Sequence, residues 1–248
     1  MAQIPGPLAV QAYADGLPFT VVGVSQPGSP LVIIADGEKV TEPTDIEGTT
    51  VAVQVGEFEG SVWEAWAAAN GIDRSQVEEV PAGGTADVLF IDHQVDVFMD
   101  FYSSGAMVEL TEGREGEETL FPVADTLPII GQSFAVHNDF LAENPEAVRG
   151  FLEGWARGAK YMIDHPEETV ELVLETFPEL EREGVEWSTA RFIEFWSVEQ
   201  TRADGLLSFT PEMWESTKDM LVDADLMEEV DVTESYTREY LPEPPVTP

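Results

Sequence analysis

Cysteine is absent from the 248 residues. That excludes disulfides, thiolate metal sites, iron–sulfur clusters and a cysteine nucleophile, and it leaves the redox compartment unread. Positive charge is nearly as scarce: 11 Lys and Arg, only three of them lysine, stand against 49 Asp and Glu, for a formal net charge of -38. Phosphate backbones and anionic lipid surfaces are repelled by such a chain, which argues against nucleic-acid binding and against a membrane-surface role. No apolar run approaches the roughly 20 residues of a membrane span, and Met1-Ala-Gln-Ile-Pro-Gly-Pro shows neither the charged nor the apolar region of an export signal. Zinc-helix, nucleophile-elbow and calcium-loop motifs are missing too, so hydrolytic and metal-assisted catalysis have no support. His93, His137 and His165 lack a second histidine at metal spacing and are read as surface or capping residues. Neither a cofactor nor a metal is expected.

What is present is a folded protein. Hydrophobic residues make up 43% and aromatics 10%, too much for an acidic disordered tail. The acids are dispersed along the whole chain, as on the acidic proteins of salt-loving organisms. A dense carboxylate shell stays hydrated in strong salt, where screening over a few ångströms removes the self-repulsion.

Apolar β-branched runs at 19–24, 31–35, 50–55, 77–80, 95–101 and 129–136 alternate with helical patterns, which indicates an α/β fold with parallel strands. Ser61-Val62-Trp63-Glu64 fits a capping box, Asn144-Pro145-Glu146 and Thr210-Pro211-Glu212 place a capping side chain before proline, and Gly71 follows a helix end. Val148, Phe151, Leu152, Trp155, Ala159, Met162 and Ile163 recur at three and four over 145–163, and another helix starts at Pro166. Trp155, Trp187, Trp196 and Trp214 are read as core. Residues 49–125 read as strand–helix–strand–helix and those after Asn138 as helix upon helix, with 28–49 and 120–131 as crossovers. The expected division is one lobe of 1–48 with 127–248 and a second of 49–126.

Two strand ends attract attention. The run 50–55 leads into Gly56-Glu57-Phe58-Glu59-Gly60-Ser61, a strand–loop–helix turn of the kind where open parallel sheets bind ligands, although Gly60 and Ser61 could equally just open a helix. Glycine spacing and lysine for phosphate are lacking. Glu57, Glu59 and Glu64 around that helix start disfavour an anion, Glu64 at the third helical position being able to occupy the free amides itself. The run 95–101 puts Val95, Val97, Met99 and Phe101 on one face and Asp96, Phe98 and Asp100 on the other, and ends in Tyr102-Ser103-Ser104-Gly105. A carboxylate at Asp100 beside Phe101 and Tyr102 suits a flat, nitrogen-bearing or cationic ligand, while Asp100 or Ser103 could instead cap the next helix. The candidate ligand-binding residues are Phe58, Glu59, Gly60, Ser61, Asp100, Phe101, Tyr102 and Ser103.

In order and spacing, several segments resemble a known family. Ala14-Asp15-Gly16-Leu17-Pro18 before a valine-rich strand, Pro43-Thr44-Asp45-Ile46-Glu47-Gly48-Thr49-Thr50-Val51-Ala52-Val53, and Gln94-Val95-Asp96-Val97 are three such segments. Asn138-Asp139-Phe140 through Asn144-Pro145-Glu146 to Phe151, and His165-Pro166-Glu167-Glu168, are two more. Together they resemble the substrate-binding proteins of ABC importers, in the SsuA/THI5-like (NMT1) branch for nitrate, sulfonates, taurine and thiamine-pyrimidine precursors. Ile46 and Thr49 depart mildly from the pattern. The resemblance implies a type II periplasmic-binding-protein fold: two α/β lobes, joined by two crossovers and closing on a small molecule, with a helical C-terminal flank. It implies a monomeric binding protein rather than an enzyme, working outside the cell membrane and presenting its ligand to ABC permease subunits. The family's first strand–helix–strand and export signal have no counterpart here, so the chain is expected to open inside a helix with its first lobe incomplete. The acidic, aromatic candidates favour a thiamine pyrimidine precursor or similar nitrogen heterocycle over sulfonate, taurine or nitrate. A pyrimidine-synthase-like enzyme of the same fold is the rival, disfavoured because that branch carries a cysteine-rich iron motif. An acidic nucleic-acid mimic would cluster its carboxylates, and these are dispersed.

Overall fold

Residues 1–55, 58–105, 107–108 and 117–248 are described by a computed structural model, Phe58 by its backbone alone. In chain order the elements are β1 (Ala2–Pro5), α1 (Gly6–Ala14), β2 (Phe19–Gln26), β3 (Leu31–Asp36), β4 (Thr50–Val53), α2 (Phe58–Ala69), β5 (Glu78–Pro81), α3 (Ala86–Ile91), β6 (Val97–Phe101) and β7 (Glu118–Pro122). Then come β8 (Gln132–His137), α4 (Asn138–Glu143), α5 (Pro145–Asp164), α6 (Pro166–Thr176), α7 (Arg182–Trp196), α8 (Glu199–Asp204) and α9 (Pro211–Asp223). The chain divides into two units, Met1–Ser29 with Pro128–Pro248, and Pro30–Leu127. Residues 30–48, expected in the first lobe, fall in the second unit because β3 is paired on both sides there, with β6 and β7.

In the first unit, β1, β8 and β2 form an antiparallel sheet in that order. The chain therefore opens on a strand ahead of α1, not inside a helix. Four residues on a sheet edge, ending in a proline that cannot donate, leave too short a pattern to read. Helices supply the rest of the core: Val148, Leu152, Ala156 and Ala159 of α5 pack with Val22, Phe134, Val136, Trp196 and Leu206. A three-and-four stripe places these residues on one side of α5. Trp155 meets Trp196 edge-on at 5.2 Å, and Trp214 is fully buried. Trp187, half-buried, lies under the Arg191 guanidinium at 4.9 Å instead of in the core. The side chain of Asn144 does not cap α5; its amide donates to the Phe140 carbonyl at 3.3 Å. His137 does cap, its Nδ1 accepting the Asp139 N–H at 3.3 Å.

The second unit holds a five-stranded sheet in the order β5-β4-β6-β3-β7. Strand β4 runs parallel to β5 and β6, whereas β3 runs antiparallel to β6 and β7. The expectation of parallel strands thus holds for three of these strands and fails for the antiparallel sheet of the first unit. An all-apolar run such as Leu31-Val32-Ile33-Ile34-Ala35 reports that both faces are covered, not which way its neighbours run. Edge strand β7, half-exposed and closed by Pro122, gave no alternation to read.

Candidate functional site

Residues paired across a sheet share a face, so the register sorts the side chains of the second unit. Val51, Glu79 and Val97 are level, as are Ile33 with Met99 and Leu31 with Phe101. That face carries α2: Trp63 Nε1 donates to Glu79 at 2.8 Å, and the Trp66 ring meets Phe121 at 5.9 Å. Phe98 and Asp100 lie on the opposite face, which carries α3, with Phe90 and Phe98 at 5.0 Å. Neighbouring parallel strands β4 and β5 therefore send their chains to opposite faces. Open α/β sheets bind ligands at such a switch point, beyond the carboxyl ends of the strands.

Three chain segments meet at this edge. Strand β4 ends at Val53, two residues earlier than expected, because the Val55 N–H turns back to the Val53 carbonyl at 3.2 Å, and the chain leaves it through Gln54 and the exposed Val55. After β5, the Ala82 N–H donates to Val53 and the Thr85 hydroxyl to the Ala82 carbonyl at 2.7 Å. Between them Gly83 adopts φ +50, and neither Gly83 nor Gly84 has any atom within 4 Å of where a Cβ would sit. A backbone bare of side chains next to open space lets a ligand approach closely. After β6, the Tyr102 N–H donates to the Pro30 carbonyl at 2.8 Å, and Tyr102 and Ser103 are half-buried.

Among the candidate residues, Glu59, Gly60 and Ser61 sit in the first turns of α2, which starts at Phe58. Ser61 is consequently inside the helix and not its cap, and Glu64 pairs with Arg74 at 3.2 Å instead of occupying free amides. Gly60 is dictated by packing: a Cβ there would lie 2.5 Å from the Gln54 carbonyl. Glu59 shares a tight crevice with Gln54, Trp63 and Met99, on the α2 side of the sheet. Asp100 is on the α3 side, and Phe101, by its pairing with Leu31, is on the α2 side. The carboxylate and the Phe101 ring thus project to opposite faces and do not form one sandwich. Gly56 and Glu57 lie outside the described residues, as does the side chain of Phe58.

Asp100 is the chemically distinctive group. One oxygen accepts the Phe101 N–H at 2.7 Å. Burial pushes its carboxyl above the ordinary carboxylate range; the Phe101 N–H and the Ser104 side chain offset this in part, and Asp87 on α3 reinforces it. The two described cations of this unit are engaged elsewhere, Lys39 with Asp36 and Asp96, and Arg74 with Glu64 and Glu79. Sequence reading missed Gly83, Gly84, Thr85 and Asp87, whose signal was a Gly-Gly pair between a strand and a helix. No cluster of three or more His, Asp or Glu able to hold a metal exists among the described residues.

The fold is that of the periplasmic binding proteins. The alkanesulfonate-binding protein SsuA from Xanthomonas axonopodis pv. citri, solved bound to MOPS, superposes with a TM-score of 0.69 at 16% identity, over 95% of this chain and 79% of that one. The sequence profile of the family described as NMT1/THI5 like matches residues 2–169, and the chain belongs to that family. It is 27% identical to the riboflavin-binding protein RibY of Chloroflexus aurantiacus, over 97% of this chain and 70% of that protein. It is 28% identical to a 4-amino-5-hydroxymethyl-2-methylpyrimidine phosphate synthase of Legionella pneumophila, over 95% and 73%.

Proposed function

We propose that this chain is the substrate-binding component of an ABC importer, acting outside the membrane, and that its ligand is a thiamine pyrimidine precursor or similar nitrogen heterocycle. The observation that carries the ligand class is Asp100, a half-buried carboxyl near the carboxyl end of β6 with no cation beside it among the described residues. An anion beside Asp100 would meet the carboxyls of both Asp87 and Asp100, which disfavours sulfonate or nitrate. Gly83 and Gly84 would let a flat ring approach the backbone, while Tyr102 and Ser103 flank it. Both sequence relatives support this class, since riboflavin and the aminopyrimidine are nitrogen heterocycles that offer hydrogen-bond donors beside acceptors.

Catalysis is the second reading, favoured by the relative named as a synthase. One calorimetric panel tests both the transport reading and its ligand: 4-amino-5-hydroxymethyl-2-methylpyrimidine, riboflavin, taurine and an alkanesulfonate, titrated into the whole chain in molar potassium chloride. The expected result is saturable binding of a heterocycle, recovered unchanged afterwards. Tighter binding of a sulfonate overturns the ligand class, and conversion of the heterocycle overturns the binding-protein reading.

A further inference from the structure

We propose that Asp100 recognises its ligand as a neutral acid, sharing one proton with a donor–acceptor edge of the heterocycle, so that capture takes up a proton and weakens as pH rises. This rests on the proposed function and names the recognition chemistry of the same site.

The argument starts from what surrounds the group. From α3, Asp87 faces it. From β3, its partner is the buried Val32. The following turn supplies the Phe101 N–H and the Ser104 side chain. Glu59 and Glu64 are on α2, across the sheet, while Asp36, Glu78, Glu79 and Glu118 stand toward the opposite end of the strands. Lys39 and Arg74 are at that opposite end as well. An ionised Asp100 would therefore face a second carboxylate in a half-buried place with no countercharge from the described residues, a costly arrangement unless the group neutralises.

The ligand class offers a way to neutralise it. An amidine edge, ring nitrogen beside an amino group, presents one acceptor and one donor; an imide edge does the same with a carbonyl beside an N–H. A carboxylic acid matches either edge with two hydrogen bonds, its O–H donating and its second oxygen accepting, whereas a carboxylate can only accept. The one bond that forms is the O–H made when the carboxylate takes a proton from solvent; no bond between heavy atoms changes, and that proton is then shared between the acid and its partner.

The test is calorimetry of 4-amino-5-hydroxymethyl-2-methylpyrimidine across pH, in two buffers of different ionisation enthalpy, on wild type, Asp100→Asn and Asp100→Leu. Asparagine offers the same donor and acceptor without the proton. Wild-type affinity is expected to fall by up to about tenfold per pH unit above the range where Asp100 titrates, with buffer-dependent heat reporting proton uptake. Asp100→Asn should bind within about threefold of the wild-type acid-side affinity and lose that pH dependence, and Asp100→Leu should bind at least about tenfold more weakly throughout. The difference between wild type and Asp100→Asn removes the ligand's own titration, and circular dichroism checks that each variant is folded. Equal losses in both variants, or the same pH profile in wild type and Asp100→Asn, overturn proton sharing and leave the proposed function standing. Absence of heterocycle binding by wild type overturns both.

Discussion

The aspartates at the two ends of β6 have the same chemistry and opposite surroundings. Asp96, just ahead of the strand, accepts the Thr50 N–H at 2.9 Å and hydroxyl at 2.8 Å, and pairs with the Lys39 ammonium. Burial alone would raise its pKa, but those partners outweigh burial and hold it below the ordinary range. Asp100, near the other end, is displaced the opposite way because burial dominates two neutral donors and Asp87 opposes its charge. The difference teaches where this unit is finished and where it is open. Thr50 and Lys39 tie β4, β6 and the segment after β3 together at one end, whereas the end facing the switch point keeps a carboxyl with no countercharge among the described residues.

The largest expected effect breaks the closed end. Asp96→Ala strands the Thr50 amide and hydroxyl and the Lys39 charge, and should cost about 3 kcal/mol of stability in denaturant titration at constant high salt. Ligand affinity, measured where the variant is still folded, should not change.

A smaller effect sharpens the contrast through pH. Asp96, held low, stabilises the fold above the ordinary carboxylate range and loses that contribution as pH falls through its folded value. Asp100, held high, contributes only while protonated, and that contribution is lost as pH rises through its folded value. Asp100→Asn should consequently be slightly more stable than wild type at neutral pH, with the gap closing on acidification. Denaturant midpoints of the two proteins at several pH values check this; a variant less stable at neutral pH contradicts it.

Much of this arrangement was legible in the sequence, and the reasons for the remainder are physical. The alternation from Val97 to Phe101 correctly separated Asp100 from Phe101 by face, yet the two were still expected to flank one ligand, because a linear pattern does not show that the sheet lies between them. The Ser61 to Glu64 box misplaced the start of α2, since the same residue types serve inside a helix and what sets the turn is the contact of Gly60 with the Gln54 carbonyl. The antiparallel pairing of β3 escaped, because that strand is apolar on both faces. Asp87 and the Gly83–Thr85 turn escaped because their significance depends on which side of the sheet the chain leaves β5.

The most direct measurement is the carbon-13 carboxyl titration of Asp96 and Asp100 in the free protein and with 4-amino-5-hydroxymethyl-2-methylpyrimidine. The account predicts Asp96 titrating below the ordinary carboxylate range and Asp100 above it, with the ligand moving the Asp100 resonance further toward its protonated form and leaving Asp96 in place. An Asp100 that titrates at or below Asp96, or a ligand that moves Asp96 and not Asp100, would contradict it.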